Sequence, residues 1–146
     1  MTQNMKRLIC LLITCSLYGV AAASAGDEAN IEQAIKSLNS RVTVHPDKKL
    51  VLTAVFQQTR VPEKTLRSQM NATHLGYGEL LVANSLVEGS GKNLNEVLAM
   101  KKGKCWASLS IELRIDPNSI VNRLRNAEKT VRTAQENARR SEASEE

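Results

Sequence analysis

DPNSIVNRLRNAEKTVRTAQENARR, residues 116–140, reads as one long helix and makes a helical protein of the whole chain. Asp116 offers a side-chain oxygen to the free amides of a first turn. Pro117 follows where a missing N–H costs nothing. Ile120, Leu124, Ala127, Val131, Ala134 and Ala138 then recur at spacings of four and three, the period of a heptad seam. Glu128 with Arg132 and Glu136 with Arg140 form i,i+4 pairs in the favourable order, each contributing about 0.2–0.5 kcal/mol. Arg125, Lys129, Arg132 and Arg139 fall on the opposite face. The expected element is an amphipathic helix with its stripe on the domain and a charged back in water. Self-association through the same seam is the partner it suggests.

Upstream, apolar residues keep helical spacing with few breaks. Ile31, Ala34, Ile35 and Leu38 mark a short helix over Glu28–Leu38. Arg41-Val42-Thr43-Val44 alternates instead, so Ser40–His45 is expected to be a linker or one edge strand ended by Pro46. Asp47 can cap a helix from Lys48 to Gln58, and Pro62 suits the first turn of the next, reaching Asn71. A helix over Glu79–Glu88 follows Leu75-Gly76-Tyr77-Gly78 and is expected to stop at Gly89-Ser90-Gly91. Asn93 with Glu96 is a capping-box pair for a helix closed by Gly103. Trp106, Leu109 and Leu113 form the apolar face of one more. The reading is all-α: a small multi-helix domain over residues 26–140, including the long C-terminal helix, with residues 141–146 as an acidic disordered tail.

Residues 1–25 carry a different message. Lys6 and Arg7 precede a largely apolar run from Leu8 to Val20, and Ala23-Ser24-Ala25 is a small-residue cleavage pattern. These are the three parts of a secretory signal peptide. Cleavage leaves no membrane span, whereas retention would make the run a short anchor. The expected location is outside the cytoplasm, periplasmic or secreted.

Charge and cysteine content follow from that cut. Residues 26–100 hold eight basic and eight acidic side chains, but residues 101–140 hold ten basic and four acidic. A basic segment ahead of an acidic end suits solubility or a weakly anionic partner. Cys10 and Cys15 leave with the signal, so Cys105 remains alone and no internal disulfide staples the mature domain.

Residues 104–125 resemble the helix-turn-helix family of bacterial regulators. Trp106, Leu109 and Leu113 lie on the first helix, Ile115 in the turn, and Pro117, Ser119, Ile120 and Leu124 on the second. The resemblance implies that Asn118, Ser119, Asn122 and Arg123 face bases, with Lys101, Lys102, Lys104 and Arg125 near phosphates. Arg114 stands where such turns commonly carry glycine, and Ser110 where they bury alanine. An export signal also sits badly with DNA reading, so nucleic acid is not the expected partner. From Val61 to Ile120 the chain resembles small exported bacterial helical proteins of unknown function. That likeness is carried by Leu75-Gly76-Tyr77-Gly78-Glu79-Leu80, Ala83-Asn84-Ser85-Leu86, Ser90-Gly91-Lys92, Glu96-Val97-Leu98-Ala99 and Gly103 before Trp106. It implies no reaction.

Chemistry-bearing patterns are thin. His45, His74 and Cys105 stand in no hydrolase signature, and no clustered ligands suggest a metal. Gly76 and Gly78 lack the third glycine of a dinucleotide loop and are expected to let the chain turn. The expectation is therefore no catalytic residue, cofactor or metal. What remains is an exported, non-enzymatic binding or structural protein, with Tyr77 and Trp106 as its contact surface. The alternative is a helix-turn-helix DNA-binding or membrane-tethered regulator using Asn118, Ser119, Asn122, Arg123 and Arg125.

Overall fold

The computed structural model describes residues 23–43 and 48–143. Among them are seven α-helices and no strand: α1 (Ala25–Thr43), α2 (Lys48–Thr59), α3 (Glu63–Thr73), α4 (Tyr77–Ser90), α5 (Leu94–Lys101), α6 (Trp106–Glu112) and α7 (Pro117–Glu142). The apolar run Leu8–Val20, His45 and Asp47, the expected cap of α2, lie outside the described residues.

At the centre sits α4. Every residue from Leu80 to Leu86 is buried, so the helix is enclosed on all sides rather than amphipathic. It touches α1, α2, α3, α5 and α7. The long helix α7 packs chiefly on α1 and α2. Ile120, Leu124, Ala127 and Val131 are buried there, so the upper seam is spent inside the molecule. Ala134 is half-buried and Ala138 exposed.

Polar ties fix α7 at two points. Arg41 of α1 reaches Glu128 at 2.5 Å, and Arg123 pairs with Glu88 at the end of α4. Glu128 is therefore engaged across helices instead of with Arg132, which faces Glu136 at 3.9 Å. The helix also continues past Arg140 to Glu142, because nothing between them breaks it and Ser141 donates its hydroxyl to the Asn137 carbonyl at 3.2 Å. The first residues of the expected tail are thus helical.

Two further boundaries differ from the sequence reading. Ser40–Thr43 continues α1 rather than forming an extended piece. Val42 lies one turn beyond Leu38 and packs on the core, and Ser40 donates its hydroxyl to the Ser37 carbonyl at 2.8 Å. Tertiary packing thereby overrides the strand preference of Val42 and Thr43. Helix α4 passes through Gly89 and stops at Gly91, whose φ of 69° closes it with an N–H to the Val87 carbonyl.

The caps explain the remaining ends. Asn93 and Glu96 form the expected capping box of α5. Ser24 and Asp27 exchange the same reciprocal bonds at the start of α1, at 3.2 and 3.1 Å. Asp116 caps α7 with Pro117 in its first turn. Helices α2, α3 and α6 are followed by Arg60, His74 and Arg114 in the left-handed region, each at a φ near 60°.

Candidate functional site

Three helices converge on a recess of about 260 Å³. Its wall from α2 is Lys48 and Leu52, one turn apart. Its wall from α3 is Arg67, Met70 and Asn71, at the i, i+3 and i+4 spacing that puts side chains on one face. Tyr77, the first residue of α4, completes it. Leu52 is 1 % exposed and forms an apolar floor with the half-buried Met70. Lys48, Arg67 and Asn71 are exposed at the rim.

Local structure holds Tyr77 in place. Helix α3 ends on His74, whose left-handed conformation and N–H to the Met70 carbonyl turn the chain towards α4. Gly76 and Gly78 are not needed for that turn, since neither has positive φ. Their role is close approach. A β-carbon on Gly78 would stand 2.9 Å from the Ile35 Cα and 3.0 Å from its carbonyl oxygen. Asn39 of α1 then clasps the helix start, accepting from the Gly78 N–H at 2.8 Å and donating to Glu79 at 3.0 Å. A reciprocal amide pair between Gln69 and the buried Asn84, at 3.2 and 2.9 Å, ties α3 to α4.

The electrostatics of the recess are one-sided. Among the described residues it is lined by two cations and no carboxylate. Two described acids of α3 and α4 are engaged elsewhere: Glu63 accepts from the Thr53 hydroxyl at 2.7 Å, and Glu79 accepts from the Asn39 amide at 3.0 Å. Burial raises the Tyr77 phenol above its ordinary value of 10.0, and the positive charge of Arg67 acts in the opposite direction. The phenol is therefore a neutral hydrogen-bond donor at ordinary pH. Among the described residues, Lys48, Arg67, Asn71 and Tyr77 form no side-chain hydrogen bond or ion pair with the rest of the protein.

The other residues singled out by sequence are scattered. Trp106 is 4 % exposed, a core side chain with Lys101 Nζ 4.8 Å from its ring centre, so it presents no contact surface and does not line the Tyr77 recess. Asn118, Ser119, Asn122 and Arg125 lie exposed on the first turns of α7. Arg123 is withdrawn from that face by Glu88 and by the Gln58 carbonyl at 3.2 Å. Ser119 donates its hydroxyl to the Asp116 carbonyl at 2.7 Å. Cys105 is half-buried and its Sγ accepts from the Ser108 N–H at 3.3 Å, as the cap of α6. A second, smaller hollow of about 160 Å³ lies between α1 and α7, lined in part by Asn30, Gln33, Arg125 and Glu128.

Of the residues that line the recess, sequence reasoning singled out Tyr77 but not Lys48, Arg67 and Asn71. The spacing of Arg67, Met70 and Asn71 was the available signal, though only the fold brings it against Lys48 and Tyr77. Among the described residues no helix is long and apolar enough to cross a membrane, and no three His, Cys, Asp or Glu side chains cluster as metal ligands. No protein-family model matches the chain, and no curated protein or solved structure matches it either.

Proposed function

We propose that the protein is exported, periplasmic or secreted, and acts there as a non-enzymatic helical binding or structural protein. The observation that carries this reading is the pattern of residues 1–25: Lys6 and Arg7, the apolar run, and the Ala23-Ser24-Ala25 site. The Tyr77 recess supports the binding role, because its polar side chains are uncommitted within the domain. Fractionation of native cells tests the export half. The protein is expected in the exported fraction, and its confinement to the cytosol would overturn the reading.

A second reading treats α6 and α7 as a helix-turn-helix corner on a DNA-binding regulator, tethered to the membrane if residues 1–25 are retained. The exposed run of Asn118, Ser119, Asn122 and Arg125 favours it. This reading expects the full chain to bind duplex DNA at low salt, with affinity falling steeply as salt rises. No mobility shift at low salt would remove it.

A further inference from the structure

The Tyr77 recess combines three properties that together select a ligand class. Its rim is cationic, with Lys48 and Arg67 and no carboxylate among the described residues that line it. Its floor is apolar, with Leu52 and Met70. Its volume of about 260 Å³ lies just below the ~300–1,000 Å³ of drug-sized ligand sites. Arg41, Lys104 and Arg123 are each paired with a glutamate, whereas cations such as Lys64 and Lys129 stand singly on exposed helix faces. Here two cations, an amide and a phenol face one hollow without a partner among the described residues.

We propose that this recess binds a small amphiphilic anion: one carboxylate or phosphate head with a short apolar tail. This inference rests on reading the protein as a binder and specifies what that binder takes. Arg67 presents a planar fork that meets such a head with two parallel N–H donors. Tyr77 donates its hydroxyl to the same head, and Lys48 adds a positive charge at the mouth. Asn71, one turn from Arg67, supplies an amide donor from the same helix face. The tail lies on Leu52 and Met70, where burial contributes about 25 cal/mol per Å² of apolar surface removed from water. An inorganic anion uses the rim alone, and a neutral alcohol uses the floor alone, so neither matches the whole recess.

The test is a titration of the full chain, followed by NMR at Tyr77 and at the Met70 methyl, with four probes: octanoate, hexyl phosphate, inorganic phosphate and octanol. Octanoate, hexyl phosphate or both are expected to bind saturably and to shift both signals. The tighter of the two identifies the head as carboxylate or phosphate. Inorganic phosphate and octanol are expected to bind at least tenfold more weakly. Arg67→Gln should weaken the preferred probe by about 10–100-fold, the loss of a charge-assisted hydrogen bond, and Tyr77→Phe by about 3–10-fold. Lys129→Ala, an exposed cation on α7, should leave binding unchanged. Circular dichroism confirms that each variant is folded, and Arg67→Lys keeps charge without the fork if Arg67→Gln fails to fold.

Equal responses to inorganic phosphate and to the amphiphiles would overturn the proposal, as would shifts that do not saturate or do not depend on Arg67. Turnover of hexyl phosphate in the recess would leave the site standing but sink the non-enzymatic reading. Saturable binding by a protein found only in the cytosol would keep the site while the export reading falls.

Discussion

Gly78 has no room for a β-carbon. Its neighbour is the backbone of Ile35 at 2.9 Å, which cannot swing aside as a side-chain end can. Gly78→Ala gains about 1 kcal/mol of helix propensity but meets an overpacking cost of about 1–3 kcal/mol. The expected result is a net destabilisation on the order of 1 kcal/mol, seen as a lower denaturation midpoint at unchanged slope. In the full-length, uncleaved chain Gly26→Ala is the control: its nearest neighbour is 3.6 Å away, so that variant should gain stability. The Gly76-Tyr77-Gly78 pattern was visible in the sequence, but its reason was not, because Ile35 and Asn39 lie some forty positions upstream. Arg114 is the converse case. It takes a φ of 59°, a left-handed conformation reached without a glycine.

Tyr77 gives this scale its pH dependence. Its phenol is raised above 10.0 by burial, with Arg67 opposing. Below pH 10 both folded and unfolded chains keep the proton, and the group's contribution to stability is fully present. Above that value the unfolded chain loses the proton first, so the contribution is lost as pH rises towards the folded value. The difference in tyrosinate absorbance between the full chain and Tyr77→Phe should therefore have a midpoint above 10.0. Arg67→Ala should move it higher still. A midpoint below 10.0 would contradict the burial of the ring.

Among the elements, α6 shows how a short helix is held. It has seven residues, too few to persist alone. Cys105 caps it through Ser108, and Glu28 reaches from α1 to accept the Ala107 N–H at 2.8 Å. Glu28→Ala removes that cap and an α1–α6 tie together, so a loss of about 1 kcal/mol is expected in a denaturant melt. An unchanged midpoint would mean that α6 is held by packing alone. Local signals found the Asn93–Glu96 capping box and the Asp116-Pro117 start, since those depend on residues within one turn, but not the Ser24–Asp27 box. They failed at Ser40–Thr43, where an alternating string conceals the Leu38–Val42 helical step. They also failed at Gly89, which stays helical because its bare Cα accommodates Ile115, 2.6 Å from where a β-carbon would stand.

For the whole molecule, the sequence indicated the all-α class and the long last helix, because the apolar period there extends over many turns. It did not indicate the centre. The enclosure of α4 depends on five other helices, and no periodicity within Tyr77–Ser90 reports them. The heptad-like seam was legible, yet its occupant was not: α1 and α2 cover Ile120–Val131, leaving only alanines towards the end of α7. The recess likewise exists only at the meeting of α2, α3 and α4. The N-terminal pattern bears on the whole molecule in another way. Ala25 is the first residue of α1, and the Ser24 cap lies within the proposed cleavage motif. Cleavage after Ala25 removes that cap and leaves Asp27 as the carboxylate of the first turn, Glu28 being held by the Ala107 N–H.

The most direct test of the central claim is the N-terminal residue of the protein recovered from its native location. Export with cleavage predicts a chain beginning at Gly26 in the exported fraction. A chain beginning at Met1, recovered from the cytosol, would contradict it.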